Sequence, residues 1–161
     1  MVILLMGVSG AGKTTVGQLL AARVGCEFAD ADDYHSAANV AKMHSGVPLT
    51  DADREPWLET LRALITGWIA AKKTAVLACS ALKRSYRDRL RVTPEVQIVY
   101  LKVSQRELRH RLRLRQGHFM TEAMLDSQLA TLEQPEGAIL VDGERPSEEI
   151  VVEIIERLRL T

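Results

Sequence analysis

The chain has 161 residues, of which 47% are hydrophobic and 26% are charged, and these proportions are typical of a globular protein with one domain. Lys and Arg together number 21, the same as Asp and Glu, so no overall positive charge favours a nucleic-acid partner. No apolar run reaches the roughly 20 residues of a membrane-spanning helix, and the apolar start MVILLMG lacks the basic residues and cleavage site of a signal peptide. We therefore expect a cytoplasmic protein without nucleic-acid or membrane partners, in which Cys26 and Cys79 are reduced.

Short apolar runs alternate with helical patterns along the chain. Strands are predicted at residues 2–6, 27–30, 75–79, 97–103 and 138–143. Helices are predicted at residues 12–25, 36–46, 51–73, 81–91, 104–116, 122–134 and 147–160. This alternation predicts one α/β domain over residues 1–161, with a five-stranded parallel sheet flanked by helices. Two segments stand outside the pattern, a helical excursion at about 33–72 and a short segment at about 115–122.

Two helix starts depend on particular residues. Asp51 is a candidate cap for the long helix, but Pro56 disrupts a helix unless it lies in the first turn, so the start is predicted nearer Glu55. Ser104, with Glu107 three residues later, predicts a capping box. A mostly solvated helix face is predicted for the arginines of ALKRSYRDRLR, which are Arg84, Arg87, Arg89 and Arg91.

The stretch GVSGAGKT, residues 7–14, follows the first strand, opens a helix and matches the pattern G-x-x-x-x-G-K-[ST] throughout. Glycine tolerates positive φ, so successive N–H groups can turn inward and surround a phosphate at the positive end of the helix dipole. The motif predicts that Lys13 reaches the β- and γ-phosphates of a nucleoside triphosphate and that the Thr14 hydroxyl ligates Mg²⁺. Nucleotide contacts are predicted for Gly7, Val8, Ser9, Gly10, Ala11, Gly12, Lys13, Thr14 and Thr15.

Two carboxylates stand directly after the second predicted strand, in the stretch DADDYH. Ligands of open α/β sheets bind at the carboxyl ends of the strands, and residues two apart in extended chain share a face. Asp30 and Asp32 are therefore candidates for holding a metal-bound water and for accepting the proton of an acceptor hydroxyl. A solvated acidic turn that caps the next helix is the alternative.

The chain resembles the gluconokinases of the thermoresistant type, small P-loop carbohydrate kinases related in fold to shikimate and nucleoside monophosphate kinases. The resemblance covers nearly the whole chain and rests on MGVSGAGKT, DADDYHSAANVAKMHSGVPLTDADREPWL, CSALKRSYRDRLR, YLK, RLRLRQGHFM and LATLEQP. The combination of KM-x-SG-x-PL-x-D-x-DR-x-PWL with CSALK and GHF is far more restrictive than the P-loop. Ser36 departs from the family, which usually has proline after the histidine of the acidic motif.

The resemblance implies a reaction: transfer of the γ-phosphoryl group of ATP to the 6-hydroxyl of D-gluconate, with Mg²⁺, giving 6-phosphogluconate and ADP. It also implies a homodimer. Asp32 is assigned as the base, and Asp30 joins Thr14 at the metal, although the roles of the two aspartates are interchangeable at this stage.

The resemblance further implies which side chains act on the substrates. Lys13, Asp32 and Arg115 are assigned as catalytic. Contacts to the sugar acid are assigned to Asp32, His35, Arg54, Ser80, Ala81, Lys83 and His118. Arg111 and Arg115 lead into a QGHF lid within residues 115–122 and are assigned to the nucleotide and to transition-state charge, with a solvated helix face as the alternative.

Two other functions fit the motifs at this stage. One is another small-molecule kinase of the same fold, such as one of shikimate type, and the other is a nucleotide-binding switch that transfers no phosphoryl group. A GTPase switch is not favoured, because the sequence has no guanine-selective N-K-x-D segment.

Overall fold

The computed structural model describes residues 1–115 and 120–161. These residues form a parallel sheet in the order β2-β3-β1-β4-β5, which confirms the predicted fold class. The strands are β1 Val2–Met6, β2 Glu27–Asp30, β3 Ala75–Ala78, β4 Val96–Lys102 and β5 Ile139–Asp142. The helices are α1 Lys13–Val24, α2 Ala37–His44, α3 Asp51–Ala70, α4 Arg84–Leu90, α5 Gln105–Leu114, α6 Glu122–Thr131 and α7 Ser147–Leu158, with a 3₁₀ turn at Ala31–Tyr34.

The central strand β1 is buried over its whole length, which explains its uninterrupted apolar sequence. Val2, Leu4 and Met6 belong to the core that contains side chains of α3 and α4. Ile3 and Leu5 belong to the core on the opposite face, beneath α1 and α7. The sheet is therefore covered on both faces, and its carboxyl edge remains for the loops that follow β1, β2 and β3. Within the residues described, no helix combines the length and apolarity needed to cross a membrane.

The start of α3 differs from the prediction, because Thr50 is the cap and the helix begins at Asp51. The Thr50 hydroxyl accepts from the Asp53 amide at 3.1 Å, and the Asp53 carboxylate accepts from the Thr50 amide at 2.9 Å. The predicted start near Glu55 is wrong because this capping box satisfies two end donors, whereas the exposed Pro56 removes only one hydrogen bond.

The start of α5 agrees with the prediction in one half of its cap. The Ser104 hydroxyl accepts from the Glu107 amide at 3.2 Å. The carboxylate of Glu107 instead accepts from Arg111 at 3.1 Å, and the Ser104 amide donates to Glu144 at 3.3 Å. Two long-range partners have thus replaced the reciprocal bond of the capping box.

Arg87 is the exception to the mostly solvated arginine face predicted for α4. Its side chain is buried and donates to the carbonyl oxygens of Ala81 at 2.8 Å and Leu82 at 3.0 Å. It also donates to the carbonyl oxygen of Glu133 at 2.9 Å. Arg87 therefore fastens the segment after β3 to the segment after α6, which satisfies backbone acceptors that would otherwise be buried without donors.

Candidate active site

The loop between β1 and α1 has the backbone that phosphate binding requires. Gly10 and Gly12 have φ values of +88° and +94°, which L side chains rarely adopt. A Cβ on Gly7 would lie 3.0 Å from the carbonyl oxygen of Leu101, so this position also excludes a side chain. Across residues 1–115 and 120–161, the amides of Gly12 and Lys13 donate to no protein acceptor. These N–H groups stand at the N-terminus of α1, where they can bind an anion, and the loop is therefore a candidate anion site.

Lys13 lies across this loop. Its Nζ donates to the carbonyl oxygens of Gly7 at 2.9 Å and Val8 at 3.0 Å. Burial lowers the pKa of Lys13, while the nearby carboxylates of Asp32 and Asp30 act to raise it. The ammonium group is thus held at the anion site, on carbonyl partners that a phosphate oxygen can replace.

Asp30 connects the loop to the end of β2. One carboxylate oxygen accepts from the Thr14 hydroxyl at 2.7 Å, and the other accepts from the Asp32 amide at 3.0 Å. A hydroxyl and a carboxylate are the hard oxygen donors that Mg²⁺ prefers. No cluster of three or more His, Cys, Asp or Glu occurs in the part of the chain that the structure describes. Mg²⁺ is commonly held by one or two carboxylates together with substrate phosphates, so this sparse donor set fits the ion.

An open cleft of about 230 Å³ runs from the phosphate loop to the segment containing α2 and α3. The predicted residues that line it are Ser9, Gly10, Gly12, Lys13, Thr14, Thr15, Asp30, Asp32, His35, Arg54, Ser80 and Arg115. Other predicted residues lie outside its lining, namely Gly7, Val8, Ala11, Ala81, Lys83 and Arg111. His118 and half of the predicted lid fall at 116–119, outside the described residues. The P-loop, the acidic pair and part of the predicted acceptor pocket therefore share one cleft.

His35 is held on the acceptor side of this cleft. Its ring stacks on Trp57 with centroids 4.3 Å apart, and the Trp57 indole donates to the carbonyl oxygen of Ala31 at 2.7 Å. Burial, assisted by the charge of Arg54, lowers the pKa of His35 to about 4, so the ring is neutral at physiological pH. The Asn39 amide nitrogen, which only donates, lies 3.3 Å from Nδ1. Nδ1 therefore accepts, and Nε2 carries the proton and can donate to an acceptor hydroxyl.

The two cationic residues that were assigned to the sugar acid, Arg54 and Lys83, lie at the starts of neighbouring helices. Arg54, near the start of α3, lines the cleft and donates to the Tyr86 hydroxyl at 3.1 Å. Lys83, the cap of α4, instead donates to both carboxylate oxygens of Asp51, at 2.8 and 3.0 Å. The ammonium group of Lys83 is thus neutralised by a carboxylate, whereas Arg54 faces the cleft.

Arg111 and Arg115 have different surroundings. Arg111 donates to the carbonyl oxygens of Gly10 and Gly143, each at 2.9 Å, so it braces the phosphate loop from outside the cleft. Arg115 is exposed and lines the cleft, and its charge acts to lower the pKa of Lys13 after the larger effect of burial.

Sequence reasoning missed the contribution of α6 and of the apolar wall. The Gln128 side-chain oxygen accepts from the Ser9 amide of the phosphate loop at 2.7 Å. The remaining unassigned lining residues include Met43, Val47, Pro48, Leu49, Met124, Ser127 and Thr131. Trp57 is buried in the core, and its side chain also forms a wall of the cleft. The SGVPL and LATLEQP stretches marked these regions without identifying single side chains.

A P-loop after β1, an acidic pair at the end of β2 and one cleft that contains both are the arrangement of a P-loop kinase that acts on a small molecule. The family model described as an AAA domain matches residues 2–135. The chain is 48% identical to the gluconokinase of Gluconobacter oxydans, over 95% of this chain and 88% of the relative. It is 39% identical to the thermoresistant gluconokinase of Escherichia coli K12, over 98% and 93% of the two chains. The chain belongs to the gluconokinase family.

Solved structures agree with this classification. A gluconokinase from Sinorhizobium meliloti 1021 superposes with a TM-score of 0.82 at 41% identity, over 98% of this chain and 94% of that one. A shikimate kinase from Aquifex aeolicus is 20% identical, with a TM-score of 0.60 over 99% and 96% of the chains, and shares the fold. The resemblance seen in the sequence motifs is thereby confirmed.

Proposed function

We propose that this enzyme transfers the γ-phosphoryl group of ATP to the 6-hydroxyl of D-gluconate and releases 6-phosphogluconate and ADP. Membership of the gluconokinase family makes it an ATP-dependent sugar-acid kinase. The structural observation that carries the proposal is one cleft with the phosphate loop at one end and His35 and Arg54 at the other. An acceptor held by these two side chains lies within reach of the loop.

Asp32 is proposed to accept the proton of the 6-hydroxyl. It lines the cleft, and its charge acts to raise the pKa of Lys13, which supports this role. As the proton moves to Asp32, the sugar oxygen forms a bond to the γ-phosphorus, and the bond from that phosphorus to the bridging oxygen breaks. Lys13 and Arg115 neutralise charge on the transferred group and on the departing ADP, and the proton then passes from Asp32 to water.

Thr14 and Asp30 are proposed to hold Mg²⁺, which supplies neutralisation of phosphate charge when it is bound. The hydrogen bond between these two side chains supports this assignment, because it places two hard oxygen donors together at the loop. Asp30 accepts from the Thr14 hydroxyl and from the Asp32 amide, so it is proposed for the metal, and Asp32 keeps the proposed role of base. The converse assignment predicts rescue of the Asp32 variant by excess Mg²⁺.

Acceptor binding is proposed for His35, Arg54 and Ser80, because these residues line the cleft. Three residues outside the cleft lining are proposed to have supporting roles. Ala81 supports the end of the strand, Lys83 supports the acceptor pocket, and Arg111 supports the phosphate loop. Ala81 is buried, and its carbonyl oxygen accepts from the buried Arg87. The roles of His118 and of a lid within residues 115–122 remain sequence-based predictions.

A cytoplasmic location and a homodimeric assembly are also proposed. Cys26 and Cys79 are free thiols, and burial raises the pKa of Cys79 to about 12, which suits a reducing cytoplasm. Association into a homodimer is proposed from the family resemblance. Light scattering at micromolar concentration tests it directly, and a monomer mass would contradict it.

A panel of acceptors tests the proposed reaction. ADP release is measured with gluconate, with glucose, with shikimate and with no acceptor. Release that depends on gluconate supports the proposal. Release that depends on shikimate alone identifies a shikimate-type kinase, and release at one rate in every sample identifies a nucleotide-hydrolysing switch.

A further inference from the structure

We infer that Tyr86 is a positioning residue, whose hydroxyl orients the guanidinium group of Arg54 toward the acceptor. Lys83 serves this arrangement through Asp51 and does not contact the acceptor. The inference rests on the proposed function for the identity of the acceptor. The orientation of Arg54 itself is a property of the protein without substrate.

The hydrogen bonds at Tyr86 have a fixed direction. A phenol has one hydrogen to donate, and the Tyr86 hydroxyl donates it to Asp51, which cannot donate when ionised. The phenolic oxygen is left as an acceptor, and Arg54 donates to it at 3.1 Å. The guanidinium carbon of Arg54 also lies 5.5 Å from the centre of the Tyr86 ring. Both contacts hold Arg54 to the same aromatic side chain.

Lys83 completes this cluster, and its Nζ lies 5.6 Å from the centre of the Tyr86 ring. Its two hydrogen bonds to the carboxylate compensate the negative charge that anchors the Tyr86 hydroxyl. The hydrogen bond to Asp51 also raises the pKa of Lys83, so the ammonium form persists. Of the three charged groups, Lys83 and Asp51 neutralise each other. The positive charge of Arg54 is therefore not compensated within the cluster and can attract an anion in the cleft.

Burial makes Tyr86 a suitable anchor. Its side chain is 6% exposed within the core that also contains Tyr100, whereas Arg54 is half-buried and has a long side chain with many rotamers. Over the described part of the chain, the Tyr86 hydroxyl is the single hydrogen-bond partner of the Arg54 side chain. One donor of the guanidinium is thus engaged, and its other N–H groups remain available for a carboxylate in the cleft.

Tyr86→Phe removes the hydroxyl and keeps the ring. Because one orienting hydrogen bond is lost, KM for gluconate should rise about 2- to 10-fold, while kcat and KM for ATP change by less than about twofold. Tyr100→Phe is the matched control, because it removes a phenol from the same core and, over residues 1–115 and 120–161, Tyr100 makes no hydrogen bond to Arg54. An equal KM increase in both variants, or none in Tyr86→Phe, would overturn the inference.

A double-mutant cycle separates positioning from general structural damage. In an Arg54→Met background, Tyr86→Phe should change kcat/KM for gluconate by less than about twofold, because its effect passes through Arg54. If the loss of kcat/KM in the double variant instead equals the product of the losses in the two single variants, Tyr86 does not act through Arg54. Lys83→Met should resemble Tyr86→Phe, and a loss as large as that of Arg54→Met would show that Lys83 contacts the acceptor.

An NMR comparison without substrate tests the inference independently of the proposed reaction. The Nε–H signal of Arg54, assigned by its loss in Arg54→Lys, should show a restrained guanidinium group in the parent and increased motion in Tyr86→Phe. Equal motion in the two proteins refutes Tyr86 as the positioning residue. Inactivity of the parent toward gluconate would instead refute the proposed function, and the NMR result would still decide the role of Tyr86.

Discussion

Replacement of Asp32 by Asn probes the chemistry at the cleft most selectively. Asn keeps the shape of the side chain but cannot take the proton of the acceptor hydroxyl. The backbone amide of residue 32 still donates to Asp30, and Asp30 still accepts from Thr14, so the proposed metal site is retained. The variant therefore removes the proposed base while leaving the phosphate loop and its neighbouring carboxylate in place.

The size of the expected effect follows from the nature of phosphoryl transfer. General bases contribute about 10²- to 10⁴-fold, and loose transition states use the lower part of this range, so kcat should fall about 100-fold. KM for ATP should change little, because the loop amides that hold the phosphates are untouched. Coupled ADP-release kinetics at saturating gluconate measure both constants.

Asp33→Asn is the matched control, since this exposed carboxylate lies next in the chain but outside the cleft lining. It should retain kcat within about twofold of the parent, as expected for a surface substitution away from the site. A value of kcat for Asp32→Asn within about threefold of the parent would refute Asp32 as the base.

Asp30→Asn should lose activity that excess Mg²⁺ partly restores, and rescue of Asp32→Asn instead would exchange the two roles.

Three further predictions concern charge in the cleft. Lys13→Ala should abolish turnover with little change in melting temperature, because the ammonium group acts on charge that develops in the transition state; near-normal turnover at saturating ATP would contradict the loop assignment. Glucose should be used at least about 30-fold less efficiently than gluconate in kcat/KM, since Arg54 would face no anion; equal efficiencies would exclude a sugar-acid site. His35 should titrate near pH 4 by NMR, and because the unfolded state binds this proton more readily, stability should fall as pH drops from 6.5 toward 4; titration near 6.5 would contradict the buried, stacked ring.

The fold was predictable from sequence because its signals are local. β1 is an unbroken apolar run, the glycines of the loop follow it directly, and Lys13 begins the next helix. The ends of helices were less predictable, because the start of α3 depends on a competition between the Thr50 capping box and the missing donor of Pro56. Residue preferences alone do not decide which effect is larger.

The walls of the cleft were less predictable because they join segments far apart in the chain. Gln128 reaches the Ser9 amide across 119 residues, and no local pattern marks this contact. The same limit applies to Lys83, which sequence reasoning assigned to the acceptor. Asp51, 32 residues earlier, pairs with it in the folded protein. Motifs thus indicate which segments meet, and packing decides which charges are neutralised.

The phosphorylated product provides the most direct measurement. The enzyme is incubated with ATP, Mg²⁺ and gluconate, and the product is examined by phosphorus NMR with proton coupling. Phosphorylation of the 6-hydroxyl predicts one new ester signal split into a triplet by the two protons of that carbon, in amounts equal to the ADP formed. A doublet, which a secondary hydroxyl would give, or ADP without any new ester would contradict the proposed reaction.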